Sequence, residues 1–84
     1  MGRAGAATFD ARGLVELRLG RFHDAIADYD TALQKDPKQS AARLGRGLAE
    51  IALGDAAEGQ ADMSAAEDAA PGLTEQFAKL GIKP

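Results

Sequence analysis

The sequence predicts an all-α fold, two helix-turn-helix units followed by one closing helix. Three observations carry that prediction. Alanine is the commonest residue, tryptophan is absent, and the aromatics are Phe9, Phe22, Tyr29 and Phe77, a composition that favours helix over a strand core. Apolar residues recur at three- and four-residue intervals, the period of a helix with one buried face. Finally, the chain matches itself at a spacing of 34 residues, which places Arg12-Gly13-Leu14 on Arg46-Gly47-Leu48. Glu16 falls on Glu50, Leu19-Gly20 on Leu53-Gly54, Ala27-Asp28 on Ala61-Asp62, Ala32 on Ala66 and Pro37 on Pro71. A third copy begins with Phe77 and Gly81, which match Phe9 and Gly13.

Local signals divide each copy into two helices. Residues from about Ala7 to Leu19 form the first, and Gly20 supplies the left-handed conformation that ends it. The second runs from about Phe22 to Lys35, where Asp36-Pro37 stops it because proline cannot continue the hydrogen-bond ladder. Phe22, Ala25, Ile26, Tyr29, Ala32 and Leu33 form its apolar stripe, with Asp24, Asp28, Thr31 and Lys35 on a polar back. In the second copy Gly54 ends the first helix, Asp55-Ala56-Ala57-Glu58 has the form of a capping box, and Pro71-Gly72 ends the second helix. Thr74 to Leu80 gives the short closing helix.

The first helix of each copy carries more apolar surface than one neighbour covers. Val15 and Leu19 lie on one side with Phe9 nearby, Leu14 and Leu17 on another; Leu44, Leu48 and Ile51 make a stripe distinct from Ala49 and Leu53. Gly13, Ala25 and Ala32, repeated as Gly47, Gly59 and Ala66, leave little side chain where a neighbouring helix must come close. Arg12 and Arg46 each precede a glutamate by four residues, Glu16 and Glu50, a spacing that favours an ion pair along the helix.

The pattern Phe9, Gly13, Gly20, Phe22, Ala25, Tyr29, Ala32, Pro37 resembles the tetratricopeptide repeat (TPR), and Gly47, Gly54, Met63, Ala66, Pro71 resemble a worn second copy. The resemblance covers about residues 6 to 81. It implies a right-handed superhelical stack of antiparallel helix pairs: a tail at 1–5, one repeat at 6–39, a second at 40–73, and a capping helix with its tail at 74–84. In the second repeat Ala56, Gly59 and Met63 stand where the first has Phe22, Ala25 and Tyr29, so its core is expected to be the weaker.

Such repeats line a concave groove with their first helices, and the resemblance places Asp10, Leu14, Leu17, Arg18, Leu44, Leu48, Ile51, Ala52 and Lys79 there. The expected function is to hold a peptide or helix of a partner protein. Some members grip a terminal carboxylate with lysine and asparagine, but Asp10 and Leu14 occupy those positions here, which argues against that clamp. The same stripe equally suits a second copy of the chain, giving a homodimer, and the module also reads as an accessory domain of a larger protein.

Charge and composition narrow the classes further. The net charge is -3 and the charges are interspersed, so the basic face expected of a nucleic-acid binder is missing. No apolar run approaches the ~20 residues of a membrane span, which gives a cytoplasmic expectation, or a periplasmic one had a signal segment been removed. The lone His23 has no cysteine or second histidine with which to ligate a metal, the hydroxyl residues lack a nucleophile context, and the glycines form no phosphate loop. No enzyme activity, cofactor or metal is expected.

Overall fold

The computed structural model describes residues 5–83, so most of the expected tail at 1–5, and Pro84, lie outside the described residues. Five helices follow one another: α1 (Ala6–Arg18), α2 (Phe22–Lys35), α3 (Ser40–Ala52), α4 (Ala56–Ala69) and α5 (Leu73–Lys79). No strand occurs among the described residues. Each helix packs on the next in the chain, α1 also touches α3, and α5 rests on both α3 and α4. The result is two stacked helix pairs and a final helix in an envelope of 38 × 25 × 23 Å.

One turn recurs at the ends of three helices. After α1, Gly20 has φ +77°, its N–H donates to Leu17 O at 3.1 Å, and the Arg21 N–H donates to Glu16 O at 2.8 Å. After α3, Gly54 has φ +91° and Asp55 N–H donates to Glu50 O at 2.8 Å. These bonds occupy carbonyls that the helix end leaves unpaired, and only glycine adopts the required φ at little cost. The third instance departs from the repeat register. Gly81, the equivalent of the mid-helix Gly13 and Gly47, has φ +81° and ends α5, with Ile82 N–H donating to Phe77 O at 3.0 Å.

The core is a continuous cluster that includes Leu17, Tyr29, Leu33, Leu44, Leu48, Phe77 and Ile82. Small residues let the helices meet, as their spacing predicts: Ala25 and Ala32 are 0 % exposed and Ala66 1 %. Tyr29 is fully buried, its ring against Gly13 of α1 and Gly45 of α3, so one side chain ties the first repeat to the second. In the second repeat the space is closed differently. A Cβ on Gly59 would lie 2.6 Å from the Gly47 carbonyl oxygen, and one on Gly47 2.8 Å from that of Gly59, so the backbones of α3 and α4 themselves touch.

Four local expectations are corrected. Asp28 is not on a polar back but 7 % exposed, because Arg12 reaches over from α1 and donates to both its oxygens, at 2.8 and 2.7 Å. Arg46 does the same to Asp62, at 2.8 and 2.9 Å, and adds a third bond to Asp30 at 3.0 Å. The arginines therefore pair across helices, with planar two-point geometry, rather than along the helix with Glu16 and Glu50. Asp55 precedes α4 but its side chain makes no capping hydrogen bond. In place of a cap at the next junction, the Glu67 carboxylate accepts from the N–H groups of Gly72 at 2.6 Å and Thr74 at 3.1 Å, fixing where α5 begins. Those two bonds hold the Glu67 carboxyl below its usual range.

The Tyr29 hydroxyl is buried without a hydrogen-bond partner, and burial pushes its pKa up. An unpaired buried hydroxyl opposes folding. Tyr29→Phe is therefore expected to leave the domain as stable as the native chain or to stabilise it by about 1 kcal/mol, read from the midpoint of urea unfolding.

Candidate functional site

At the ends of the first helices the chain encloses an open cleft of about 340 Å³. Leu17 and Arg18 reach it from the last turn of α1, and Phe22 from the first turn of α2. Leu48, Ile51 and Ala52 of α3 form the opposite wall. The segment after α5, from Leu80 to Lys83, closes the third side because the turn at Gly81 directs Ile82 inward, where it is only 8 % exposed. Ile82 sits one repeat beyond Leu48 and two beyond Leu14, so it holds the same repeat position although α5 has already ended.

Of the residues predicted to line a groove, Leu17, Arg18, Leu48, Ile51 and Ala52 converge on this cleft. Their exposure differs from the expectation. Leu17 and Leu48 are 7 % and 4 % exposed, so they form a floor sealed by the chain's own helices rather than an open stripe. Leu44 is 0 % exposed and belongs to the core, which corrects its placement as a groove residue. Leu14 is half-buried against the same core, and Asp10 is half-buried beside Tyr29, where burial raises its carboxyl pKa. Lys79 is exposed and outside the cleft; Lys83 lines it instead. Phe22, Leu80, Gly81, Ile82 and Lys83 are the lining residues that the sequence pattern did not point to, and the repeat register of Ile82 is the signal that marks that side.

The lining contains two cations, Arg18 and Lys83, and no acid, in a chain whose net charge is -3. Such a surface can bury an apolar group and draw a negative charge to its rim. Among the described residues no cluster of three or more histidine, cysteine, aspartate or glutamate side chains is placed to hold a metal ion, and no helix is long and apolar enough to cross a membrane.

The family model described as tetratricopeptide repeat matches residues 11–74, well over half of the chain. The chain belongs to that family. No curated protein and no solved structure matches it. TPR repeats generally mediate protein–protein interaction and are generally not catalytic, and the stacked helix pairs of this TPR chain are the architecture that goes with that role. The TPR register also accounts for the cleft, since Leu48 and Ile82 occupy one repeat position on successive units.

Proposed function

We propose that this TPR domain binds a partner polypeptide at the cleft between α1, α3 and the segment after α5, seating one large apolar side chain with a neighbouring carboxylate beside Arg18 and Lys83. The observation that carries the reading is the combination of an apolar floor with two cations and no acid at its rim. Above the sealed floor, the half-buried Phe22 and Ile51 and the exposed Leu80 are the large apolar side chains that a ligand can reach, and Arg18 is exposed. Opposite charge at the rim steers the encounter and sets specificity, while the apolar contact supplies affinity.

A fluorescent peptide with the pattern Leu-Glu-Glu-Leu, compared with Leu-Lys-Lys-Leu in the same frame, tests it by anisotropy. The acidic peptide is expected to bind more tightly and more weakly as salt rises. Arg18→Glu and Ile51→Asp should each lower its affinity roughly tenfold, about 1.4 kcal/mol, with the helical circular dichroism retained. Equal binding of the two peptides, no binding of either, or unchanged affinity in a folded Arg18→Glu protein sinks the assignment.

A second reading is favoured by a different surface. Val15 and Leu19 are 56 % and 66 % exposed, although Ala49, the repeat equivalent of Val15, is fully buried. The face of α1 that carries Val15 and Leu19 is open, and a second copy of the chain would cover it by self-association. Sedimentation over a range of concentrations separates the readings, because a monomer throughout removes the second.

A further inference from the structure

Three buried side-chain oxygens have no hydrogen-bond partner among the described residues, and two of them, Glu16 Oε1 and Glu50 Oε1, are 34 residues apart. Each glutamate stands one turn after an arginine that is committed elsewhere. Arg12 holds both oxygens of Asp28, and Arg46 holds both oxygens of Asp62. Standing one turn from that arginine, each glutamate faces the same aspartate, whose negative charge is the strongest that acts on it, Asp28 on Glu16 and Asp62 on Glu50. Two ionised carboxylates cannot share such a site without strong repulsion, and neither could donate to the other. One proton resolves both difficulties, since a protonated glutamic acid donates where an ionised one leaves a buried oxygen unpaired.

We propose that each repeat folds with one proton held between its first-helix glutamic acid and its second-helix aspartate, Glu16 with Asp28 and Glu50 with Asp62, so that the domain takes up protons on folding and loosens as pH rises through neutrality.

The surrounding charges agree with this assignment. Around Glu16, burial and the hydrogen bond to Asp28 act with the negative charges of Asp28 and Asp24 from α2 to raise its pKa to about 7, against the opposing charge of Arg12 on its own helix. Around Glu50, burial, Asp62 and Glu58 from α4 raise it to about 8, and Arg46 opposes. From α2, Asp30 shares Arg46 and, with Glu58 and Asp62 of α4, lines a second surface cleft beside Glu50, apart from the one that Arg18 and Lys83 line; no charged residue of α1 or α5 lines it. Asp28 is held below its usual value by the bonds from Arg12, and Asp62, despite burial, by those from Arg46 and Glu50. The aspartates therefore stay ionised and the glutamates keep the protons. The two sites are unequal, because the Arg46 side chain is 25 % exposed and Arg12 is 61 % exposed.

The sign follows from the directions. A glutamate that holds its proton more tightly folded than unfolded stabilises the fold most at low pH, and that stabilisation is lost as pH rises from about 4.5 through 7 for Glu16 and through 8 for Glu50. The aspartates act oppositely, losing their contribution as pH falls below the unfolded value of 3.8. Greatest stability accordingly lies on the acid side of neutrality.

The experiment follows glutamate side-chain carboxyl carbons by NMR in the intact chain while urea unfolding is measured from pH 6 to 9. Two glutamates are expected to titrate far above the others, Glu50 above Glu16, and the folding equilibrium constant is expected to fall roughly tenfold on account of Glu16 and nearly a hundredfold on account of Glu50 across that range. Glu16→Gln with Glu50→Gln supplies a permanent amide donor in place of the proton and should flatten the dependence. All glutamates titrating in the ordinary range, a native stability that is level from pH 6 to 9, or an unchanged slope in the folded double variant each overturns the proposal. Should the double variant not fold, the native titration decides alone.

Discussion

Alanine in place of Tyr29 is expected to remove most of the stability of the domain. The ring is fully buried and fills the space between α1, α2 and α3, with Gly13 and Gly45 opened to receive it. Truncating a buried aromatic costs about 4 kcal/mol, the lost transfer energy plus a cavity that rigid neighbours do not fill. A chain of 84 residues has total stability on the order of 5 kcal/mol. Urea unfolding of Tyr29→Ala should therefore show a largely vanished native baseline at 25 °C, while Tyr29→Phe keeps a full one. Loss of less than about 1 kcal/mol on truncation would mean that the ring is not the joint between the repeats.

The second large effect is expected at Gly59. Its missing side chain is replaced by the backbone of α3, since a methyl there would stand 2.6 Å from the Gly47 carbonyl oxygen and overlap Ile51. A flexible side chain could step aside, but this carbonyl is fixed in a helix, so α3 and α4 must separate. Overpacking of this kind costs about 3 kcal/mol, of which the better helix propensity of alanine returns about 1. Gly59→Ala should thus destabilise by roughly 2 kcal/mol. Its repeat equivalent is already alanine, and Ala25→Gly should also destabilise, by about 1 kcal/mol. Opposite exchanges at one repeat position then act in the same direction, measured as shifts of the thermal midpoint. A Gly59→Ala protein as stable as the native one contradicts the backbone contact.

The repeat register made most of the fold legible. Helix ends at Gly20, Gly54 and Pro37, and close approach at Gly13, Ala25, Gly47 and Gly59, follow from steric properties of single residues that act locally. The charge pairs were not legible in the same way. A spacing of four residues made Glu16 and Glu50 the obvious partners of Arg12 and Arg46, whereas an arginine can also reach the facing helix, and Asp28 and Asp62 lie 16 residues away in sequence. The groove was legible in outline only. Leu44 lies on the predicted stripe yet is enclosed, because sequence periodicity gives the direction of a side chain around its helix but not what the rest of the chain brings against it. The turn at Gly81 is such a case, since the same glycine position is mid-helix in α1 and α3 and helix-ending in α5.

The seat of Tyr29 on Gly45 has a consequence for how such a chain could grow. The residue one repeat before Gly45 is Ala11, whose methyl would stand where the phenol ring of a preceding unit would need space, as a Cβ on Gly45 would against Tyr29. A tandem duplicate of residues 6–39 would therefore fail to nest against its own twin, and lengthening the array in the N-terminal direction calls either for Ala11→Gly or for a unit with the slimmer, pliable Met63 at the matching place. The two units are keyed to a single order, like links cast for one neighbour each.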